Sequence, residues 1–367
     1  MINKKWYQVD DEQLLMTPGL LVYPERVQEN IQSMLKIAGG IERLWPHVKT
    51  HKMSQIVKLQ MNQGIKRFKC ATLSEVKMLV DCQVDQILLA IQPTKEKMIR
   101  FLEFQKANPS IQFSTLVDNL DSLEMFSSVA KTFQQNASLW LDINNGMNRT
   151  GIVPTKAAEL FIEFQKYSHL NFEGIHVYDG HIRPPNLSER IDLCNEDFKA
   201  VETLINQIEE YGGVVSQIIA GGSPSFFPHS LRNRVFLSPG TTLLWDLGYK
   251  KIWHESPFLN AAVLITRLIS KPQKNIFCFD LGHKAVASEM PLPRVEIFGL
   301  EKAKHLGQSE EHLMVKFDES NSFKVGDLFY ALPYHICPTV AKYNKVYTVI
   351  DGVVGPLWDV EARAYQL

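Results

Sequence analysis

The sequence has no marked excess of charge of either sign. Across 367 residues, 39 Lys and Arg balance 40 Asp and Glu, so there is no basic field to attract nucleic acid or an anionic membrane. The chain also lacks an apolar run that approaches the roughly 20 residues needed to span a bilayer. Its first residues, MINKKWYQVDDEQ, contain no apolar core of a signal peptide. These absences predict a cytoplasmic protein that binds neither nucleic acid nor membrane.

Cysteine is scarce, and its spacing indicates no disulfide framework or zinc ribbon. The five cysteines are odd in number, are scattered and form no CxxC pair: Cys70, Cys82, Cys194, Cys278 and Cys337. This pattern is typical of reduced thiols in the cytoplasm. Because most unpaired cysteines are small buried apolar residues, a chemical role for any one of them needs a further observation.

Short apolar or β-branched runs alternate with helical periodicity over the first part of the chain. Strands are predicted at residues 20–23, 44–48, 68–71, 87–91, 113–117, 139–143, 172–177, 217–220 and 235–237. Strand followed by helix, repeated about eight times, indicates parallel β–α–β units. A repeat of this length over residues 17–245 fits a TIM-type barrel better than an open doubly wound sheet.

The helices between these strands have recognisable ends. One is predicted to begin at Pro24 and to stop at the glycine pair 39–40, with its apolar residues on one face. Another is predicted to follow an N-cap at Ser188 and to end at the glycine pair 212–213.

After Asp246 the pattern changes to short strand-like runs that are separated by Gly, Pro and Asn, without long amphipathic helices. The predicted fold class is therefore α/β, a TIM-type barrel followed by a smaller all-β domain. The barrel is assigned to residues 17–245 and the β-domain to residues 246–367. Residues 1–16 are expected to pack on the β-domain.

Polar residues follow many of the predicted barrel strands directly. They are Lys49, Thr72, Gln92, Asp118, residues 144–149, Tyr178 and residues 221–223. In a parallel barrel the side chains that do chemistry emerge at the carboxyl ends of the strands. The recurrence indicates a functional site at this end of the barrel.

Two of the strand-end segments have the composition of a phosphate-binding turn. The segment AGGSPSF, residues 220–226, places two glycines and a serine directly after a strand, and SPGT, residues 238–241, follows the next strand. Glycines let backbone amides approach a phosphate closely. Each segment alone is also compatible with an ordinary turn, but together they favour a phosphate cradle.

A phosphate cradle together with a strand-end lysine is the combination that pyridoxal phosphate requires. Its aldehyde needs an amine for a Schiff base, and its phosphate needs backbone donors. The segment LWPHVKTHK, residues 44–52, supplies the amine. Without the cradle, a lysine at a strand end would be interpreted as a solvated cation.

The C-terminal segment PYHICPTV contains a second candidate site. On an extended segment, His335 and Cys337 at positions i and i+2 point to the same side, so their imidazole and thiolate can share a metal ion. Two protein ligands leave room for water or substrate, as in a catalytic metal centre. The alternative from these two residues alone is a buried cysteine beside a hydrogen-bonded histidine.

Several motifs in order resemble those of the D-threonine aldolase and D-serine dehydratase family. They are PHVKTHK, CATLSE, LDINNGMNRTGI, GIHVYDGH, AGGSPSF, LSPGT and HICPTV, and they run from about residue 18 to Arg363. PHVKTHK and HICPTV together are specific to that family. The resemblance implies an alanine racemase-like, fold-type III pyridoxal-phosphate enzyme with a barrel followed by a β-domain.

The resemblance also implies roles for individual residues. Lys49 corresponds to the Schiff-base lysine and is preferred to Lys52, while His47 is interpreted as a packed histidine. The residues implied to hold the cofactor are Lys49, Arg149, Tyr178, Gly221, Gly222, Ser223, Gly240 and Thr241. His335 and Cys337 are implied to hold a divalent metal, for which a thiolate favours Zn²⁺. His51 and Gln92 are expected to line the substrate pocket.

The implied activity is that of a lyase acting on D-3-hydroxy amino acids, of the D-serine dehydratase or D-threonine aldolase type, in a homodimer. The cysteine of HxC is more similar to the dehydratases. Ser238 departs from the arginine that is usual before PG in this family, and Thr242 departs from a common tyrosine. The alternatives are an amino-acid racemase and a non-catalytic pyridoxal-phosphate-binding protein.

Overall fold

Helices and strands alternate through the first part of the chain, and strands dominate after it. A computed structural model describes residues 5–365. The strands are β1 (Gly19–Val22), β2 (Arg67–Cys70), β3 (Gln86–Leu89), β4 (Gln112–Val117), β5 (Ala137–Ile143), β6 (Leu170–Val177), β7 (Ile218–Ala220), β8 (Val235–Leu237), β9 (Ala262–Gln273), β10 (Ile276–Phe279), β11 (Val295–Ile297), β12 (Lys304–Gln308), β13 (Leu313–Lys316), β14 (Leu328–Pro333), β15 (Lys345–Ile350), β16 (Val353–Val354) and β17 (Trp358–Asp359).

The helices lie mostly between the strands β1 to β8. They are α1 (Pro24–Ala38), α2 (Ser54–Met61), α3 (Leu73–Asp81), α4 (Lys95–Ala107), α5 (Leu120–Phe133), α6 (Pro154–Phe164), α7 (Leu187–Glu210), α8 (Phe226–Ser230), α9 (Leu247–Ile252) and α10 (Ile336–Val340). Short 3₁₀-helices occupy Glu12–Leu14, Ile41–Arg43, Thr241–Leu243 and Glu361–Arg363. Within residues 5–365, no helix has the length and apolar character that crossing a bilayer requires.

Strands β2 to β8 form a seven-stranded parallel sheet in chain order. Residues 44–48 close it into a barrel, because Leu44 bridges to Leu237 of β8 and His47 bridges to Lys69 of β2. The backbone amide of Trp45 donates to the Leu237 carbonyl over 2.8 Å. The closing segment is an irregular extended stretch rather than the regular strand predicted at 44–48. The predicted TIM-type barrel is confirmed.

Strand β1 forms where the sequence predicts it but lies in the other sheet. It pairs antiparallel with β9 and parallel with β15. The prediction that residues 20–23 belong with the barrel strands is therefore wrong. All four residues of β1 are buried, so its local pattern resembles that of a barrel strand, and its partners are set by residues distant in the chain. The boundaries 17–245 and 246–367 stay predictions.

The second sheet has ten strands, nine of which lie after residue 261. Its order is β12-β13-β10-β9-β1-β15-β16, with β14 paired to both β9 and β11 and β17 paired to β15. Most of its pairings are antiparallel. This sheet confirms the predicted β-domain. Two short helices, α9 and α10, also lie in this part of the chain.

Residues before β1 pack on the same sheet. The ring of Tyr7 stacks on that of Phe298 with centroids 3.9 Å apart, and the amide of Val9 donates to the hydroxyl of Tyr330 over 3.2 Å. The expectation that residues 1–16 pack on the β-domain also includes residues 1–4, which lie outside the described part of the chain.

Two predicted helix ends can be compared with the structure. Helix α1 begins at Pro24 and ends before Gly39, whose φ of +73° is the left-handed conformation of a helix C-cap. Helix α7 begins earlier than predicted because the side chain of Asn186, rather than Ser188, accepts from the amide of Glu189. Both residue types favour N-caps, so the sequence offered two possible starting points, and the prediction of Ser188 is wrong.

The barrel interior has two layers of side chains. The lower layer is an apolar cluster of Trp45, Leu88, Leu116, Trp140 and Ile219. The layer above it, nearer the carboxyl ends of the strands, is buried and polar. We call it the polar layer, and it consists of His47, Lys69, Asp142, His176 and Ser238. Because barrel interiors are usually filled by branched apolar side chains, a buried polar layer makes this end of the barrel a candidate site.

Candidate active site

Lys49 lies in the turn that follows the barrel-closing segment. Its backbone amide donates to Nδ1 of His47 over 3.2 Å, which fixes the turn and gives that buried histidine a partner, as predicted. The Lys49 ammonium lies 5.6 Å from the centre of the Tyr178 ring. Among residues 5–365, Lys49 Nζ has no hydrogen bond or ion pair. Its amine is therefore free to react.

Lys52 has a different environment. Its amine forms an ion pair with Glu75, whose side chain is fully buried. Glu75 also accepts from the amide of Ala71 over 2.6 Å, and the carbonyl of Lys52 accepts from the amide of Ala362 over 3.2 Å. Lys52 thus joins the barrel to the C-terminal segment, and its amine is engaged in a structural contact.

The Tyr178 ring is the centre of a cluster of cations. The guanidinium of Arg149 lies 5.1 Å from the ring centre, and the amines of Lys49 and Lys69 lie 5.6 and 5.7 Å from it. Arg149 is exposed at the mouth of the site. Gly222 lies so close to the ring that a Cβ there would be 2.8 Å from Tyr178 Cε2. The cluster brings positive charge to one place, as an anionic ligand requires.

The two glycine-containing turns meet beside this ring. The backbone amides of Gly240 and Thr241 converge on the hydroxyl oxygen of Ser223, over 3.3 and 3.1 Å. A Cβ on Gly240 would come within 2.9 Å of the His47 carbonyl oxygen, so glycine allows this close approach. Two amides aimed at one oxygen are the donor arrangement that a phosphate group uses. The cradle therefore fits a phosphate.

A buried network behind the cradle was not predicted. The hydroxyl of Ser225 accepts from the Gly222 amide over 3.2 Å and donates to Asp179 over 2.5 Å. His229 Nε2 lies 2.6 Å from the other oxygen of Asp179. Burial alone would raise the pKa of Asp179, but His229 and Ser225 outweigh it and lower that pKa. An ionised Asp179 thereby fixes the position of the glycine turn. The sequence signal that could have indicated this network is the aspartate of the segment VYDGH, which is Asp179.

His335 and Cys337 come together at the edge of the same site. The predicted extended segment is wrong, because His335 is the N-cap of α10 and Cys337 lies in its first turn. Their side chains are nevertheless close enough for each to shift the pKa of the other. The Cys337 sulfur lies 3.2 Å from the Thr50 hydroxyl and 3.4 Å from the Thr241 hydroxyl. The predicted metal pair thus lies against both the lysine turn and the phosphate cradle.

The pair has shifted pKa values. Burial lowers the pKa of His335, but the hydrogen bond and charge of Cys337, together with Glu289 2.5 Å from its Nδ1, raise it to about 9. Burial raises the pKa of Cys337, while His335 more than compensates and lowers it. An imidazole nitrogen and a thiol whose pKa is lowered form a donor set that fits a soft divalent ion such as Zn²⁺.

Asp246 links the barrel to the segment that carries this pair. Its two carboxylate oxygens accept from the amide of Tyr249 over 2.8 Å and from the amide of Ile336 over 2.9 Å. One side chain therefore caps the N-termini of both α9 and α10. Asp246 is fully buried, and that burial is the largest reason why its pKa is raised to about 6. Asp246 therefore holds the first turn of α10, which contains Cys337.

The two residues predicted to bind substrate have other contacts in the structure. His51 is fully buried, its Nδ1 accepts from the Met53 amide over 3.1 Å, and burial lowers its pKa to about 3. Gln92 accepts from the Asp118 amide over 2.8 Å, and Asp118 accepts from the Gly151 amide over 2.8 Å. These bonds join three strand-end loops. Substrate binding by His51 and Gln92 stays a prediction.

Not every strand-end polar residue belongs to the site. Thr72 caps α3 by accepting from the Glu75 amide over 3.2 Å. Conversely, sequence reasoning missed Lys69, Asp142 and His176 of the polar layer. His176 Nδ1 lies 2.6 Å from the Asp142 carboxylate, and both side chains are buried. The signal that could have found them is a polar residue at each inward position of a strand whose other residues are apolar.

Comparison with protein families gives matches over most of the chain. The family model described as "Alanine racemase, N-terminal domain" matches residues 22–246. The model described as "Putative serine dehydratase domain" matches residues 261–349. The first match begins at the last residue of β1 and covers α1 and the barrel, and the second covers the greater part of the β-domain.

Individual relatives match over nearly their whole length. The chain is 23% identical to the D-threonine aldolase of an Arthrobacter species over 357 residues, which are 95% of this chain and 93% of the relative. It is 25% identical to the D-serine dehydratase of Dictyostelium discoideum over 381 residues, with coverages of 93% and 95%. The crystal structure of D-threonine aldolase from Filomicrobium marinum superimposes with a TM-score of 0.84 at 23% identity, covering 95% and 96% of the two chains.

Proposed function

The chain belongs to the alanine racemase N-terminal domain family, and from that premise we propose that it is a pyridoxal-phosphate- and divalent-metal-dependent lyase acting on D-3-hydroxy amino acids. The resemblance stated from its motifs is confirmed by the family and by its relatives, a D-threonine aldolase and a D-serine dehydratase. The match to a serine dehydratase domain after residue 260 favours this class within the family.

One observation carries the proposal. The sulfur of Cys337 lies within 3.4 Å of hydroxyls on Thr50 and Thr241. Thr50 follows the proposed Schiff-base lysine directly, and Thr241 belongs to the proposed phosphate cradle. A metal bound by His335 and Cys337 would therefore lie beside the cofactor, where the β-hydroxyl of a bound substrate can reach it.

The residues present fit the cofactor. Lys49 supplies a free amine, Tyr178 supplies an aromatic surface and Arg149 supplies a cation at the mouth. The residues Gly221, Gly222, Ser223, Gly240 and Thr241 would hold the phosphate. When bound, pyridoxal phosphate withdraws electrons from the α-carbon of an amino acid. Tyr178 is packed against Gly222, which places its ring beside the glycine turn of the cradle.

The residues present also fit a metal. His335 and Cys337 offer one nitrogen and one sulfur ligand, and a site with two protein ligands keeps positions open for substrate. Glu289 accepts the hydrogen bond of the His335 Nδ1, which leaves Nε2 for coordination and orients the ring. A thiolate ligand favours Zn²⁺ over Mg²⁺ or Mn²⁺. We propose Zn²⁺ as the ion.

Two reactions use this set of residues. In the first, Lys49 would accept the proton of the α-carbon and the β-hydroxyl would depart as water, which hydrolysis then consumes, so that D-serine would yield pyruvate and ammonia. A metal held by His335 and Cys337 would supply a Lewis acid for the hydroxyl. If a base removes the proton from the β-hydroxyl instead, the bond between the α- and β-carbons breaks, and D-threonine yields glycine and acetaldehyde. The cysteine ligand favours the first reaction slightly.

The assembly and location follow from the same premise. We propose a homodimer, the arrangement implied by the resemblance, in which the barrel of one subunit faces the β-domain of the other. Cytoplasmic location is supported by the cysteines, since Cys70, Cys82, Cys194, Cys278 and Cys337 are all free thiols. Sedimentation at several protein concentrations measures the subunit number.

The experiment is product analysis with D-serine and D-threonine. Reconstituted protein should form pyruvate from D-serine, or glycine and acetaldehyde from D-threonine, and should lose the activity in a chelator and regain it when Zn²⁺ is added. An amino-acid racemase would interconvert enantiomers and would not respond to the chelator. A protein that binds the cofactor but converts no D- or L-amino acid in the presence of Zn²⁺ would be a carrier, and either result would overturn the proposal.

A further inference from the structure

Lys69 is a buried lysine for which the proposed reaction has no role. It lies on the inward face of β2, within the polar layer, and is 3% exposed. Its ammonium donates to the hydroxyl of Ser238 over 3.1 Å, and among residues 5–365 no carboxylate forms an ion pair with it. Lysine is almost never buried without a paired acid. A free buried amine in the barrel therefore needs an explanation.

The surroundings of Lys69 disfavour its charge. Burial is the largest cause and the charge of Lys49 the second, and together they lower the pKa of Lys69 to about 7. The titratable and charged groups that face it are His47, Lys49, Asp142, Arg149, His176 and Asp179. Asp142 and Asp179 act in the opposite direction, but His176 and His229 occupy their oxygens directly. The amine thus keeps free N–H donors and has no anion of its own.

Lys69 nevertheless faces the proposed cofactor site. Its amine lies 5.7 Å from the centre of the Tyr178 ring, at nearly the same distance as Lys49. Its partner Ser238 donates to the Gly221 carbonyl over 2.8 Å, so Lys69 is connected to the glycine turn of the cradle. Lys49 approaches the ring from the strand-end turn, whereas Lys69 approaches it from within the barrel, one strand layer lower.

We propose that Lys69 is a second cofactor-contacting amine, which donates a hydrogen bond from the barrel floor to an acceptor atom on the cofactor's ring. The inference rests on the proposed function, since it concerns the same site. The bound cofactor would be the anionic partner that Lys69 lacks, and its negative charge would raise the pKa of the amine, so that binding is accompanied by proton uptake. Ser238 carries no charge, so Lys69 supplies the cationic contact on that side of the pocket.

Proton uptake makes the role measurable without turnover. Pyridoxine 5′-phosphate has the ring and phosphate of the cofactor but no aldehyde, so it cannot react with Lys49. Below about pH 7 Lys69 is already protonated, and above it each binding event must take up a proton. The affinity of wild-type protein for this probe should therefore weaken between pH 7 and 8.5, and titration calorimetry in buffers of different ionisation enthalpy at pH 8 should record proton uptake.

The variant Lys69→Met keeps the size of the side chain and removes the amine. It should bind the probe at least tenfold more weakly than wild type at pH 7. Its affinity should not show the wild-type weakening between pH 7 and 8.5, and its binding at pH 8 should take up no proton. Lys66→Gln is the matched control, because Lys66 lies just before β2 with its side chain 70% exposed. That control should bind the probe as wild type does. Binding by Lys69→Met within twofold of wild type across this pH range would overturn the inference.

Two further measurements separate the possible failures. Should Lys69→Met fail to fold, which circular dichroism detects, wild-type calorimetry decides alone, and binding without proton uptake at pH 8 overturns the role of Lys69. Borohydride reduction of wild-type holoprotein tests the proposed function separately. If Lys49 of the wild type is labelled and Lys69→Met binds the probe as wild type does, only the inference on Lys69 is refuted. If Lys49 of the wild type carries no label, the proposed function is refuted.

Discussion

The thiol sulfur of Cys337 lies 3.2 Å from the hydroxyl of Thr50, which follows Lys49 in the chain. The two residues are 287 positions apart in sequence. Thr50 lies in the turn that follows the barrel-closing segment, and Cys337 lies in α10. Their contact places a candidate metal ligand beside a candidate covalent lysine. The barrel and the segment after β14 therefore both contribute residues to the candidate site.

Replacing Cys337 by serine should weaken metal binding strongly. The hydroxyl of serine ionises far less readily than the thiol, whose pKa His335 lowers, so the soft ligand is lost. We expect Zn²⁺ affinity to fall by about 100-fold or more, measured by competition with a chromogenic chelator.

Cys278→Ser is the control for that experiment. Cys278 is a half-buried free thiol in β10, and its replacement should leave Zn²⁺ affinity unchanged. Equal Zn²⁺ affinity of Cys337→Ser and wild-type protein would contradict the assignment of the metal pair.

Replacing Glu75 by glutamine should destabilise the fold. Glu75 is fully buried and pairs with Lys52, and breaking a buried ion pair by removing one charge leaves the other uncompensated. The free energy of unfolding should fall by about 3–5 kcal/mol, measured by urea denaturation. Asp81→Asn removes a charge from the exposed Lys77–Asp81 pair and should cost less than about 1 kcal/mol. Similar losses in both variants would mean that the Lys52–Glu75 pair has no special structural role.

Replacing Asp246 by alanine should affect stability and metal binding together. Loss of an N-cap costs about 0.5–2 kcal/mol, and Asp246 caps both α9 and α10. Because α10 carries Cys337, Zn²⁺ affinity should also fall. Asn186→Ala removes the single cap of α7 and should lower stability without changing Zn²⁺ affinity. A metal site that is intact in Asp246→Ala would show that the cap does not position Cys337.

The stability of cofactor-free protein should depend on pH through Lys69. Its pKa is lowered from the usual 10.5 to about 7, so between these values the unfolded chain binds more protons than the folded one. Stability should therefore rise with pH across this window, by up to about 1.4 kcal/mol for each unit of the shift. The difference in unfolding free energy between wild type and Lys69→Met, measured from pH 6.5 to 9.5, isolates this contribution. A constant difference would mean that Lys69 is an ordinary charged lysine.

Much of the site could be predicted because its residues follow strand ends in sequence. Tyr178 and the turns at 221–223 and 238–241 come directly after a strand, and Lys49 follows the barrel-closing segment. Parallel strands bring their carboxyl ends to one rim. The structure brings all of them together. Their chemical roles stay predictions that the experiments above test.

Other features could not be read locally. Strand β1 has the same buried pattern as a barrel strand, and only its pairing with β9 and β15 reveals its sheet. Helix α10 has only five residues, too few to show a helical pattern in sequence. The amide of its first residue, Ile336, donates to Asp246, which is 90 positions away. Lys69 and His176 were missed because polar residues within a strand are ordinarily assigned to its solvent-facing side, and both strands also carry other polar residues.

The most direct measurement is reduction of the reconstituted holoprotein with borohydride, followed by peptide mapping. Among residues 5–365, Lys49 has an amine without a hydrogen bond that lies beside the Tyr178 ring, whereas the amine of Lys69 donates to Ser238. The pyridoxyl label should therefore be found on Lys49 and should be absent from Lys49→Ala. A label on Lys52, Lys69 or any other residue of the wild type, or no label after reconstitution, would contradict the proposed chemistry.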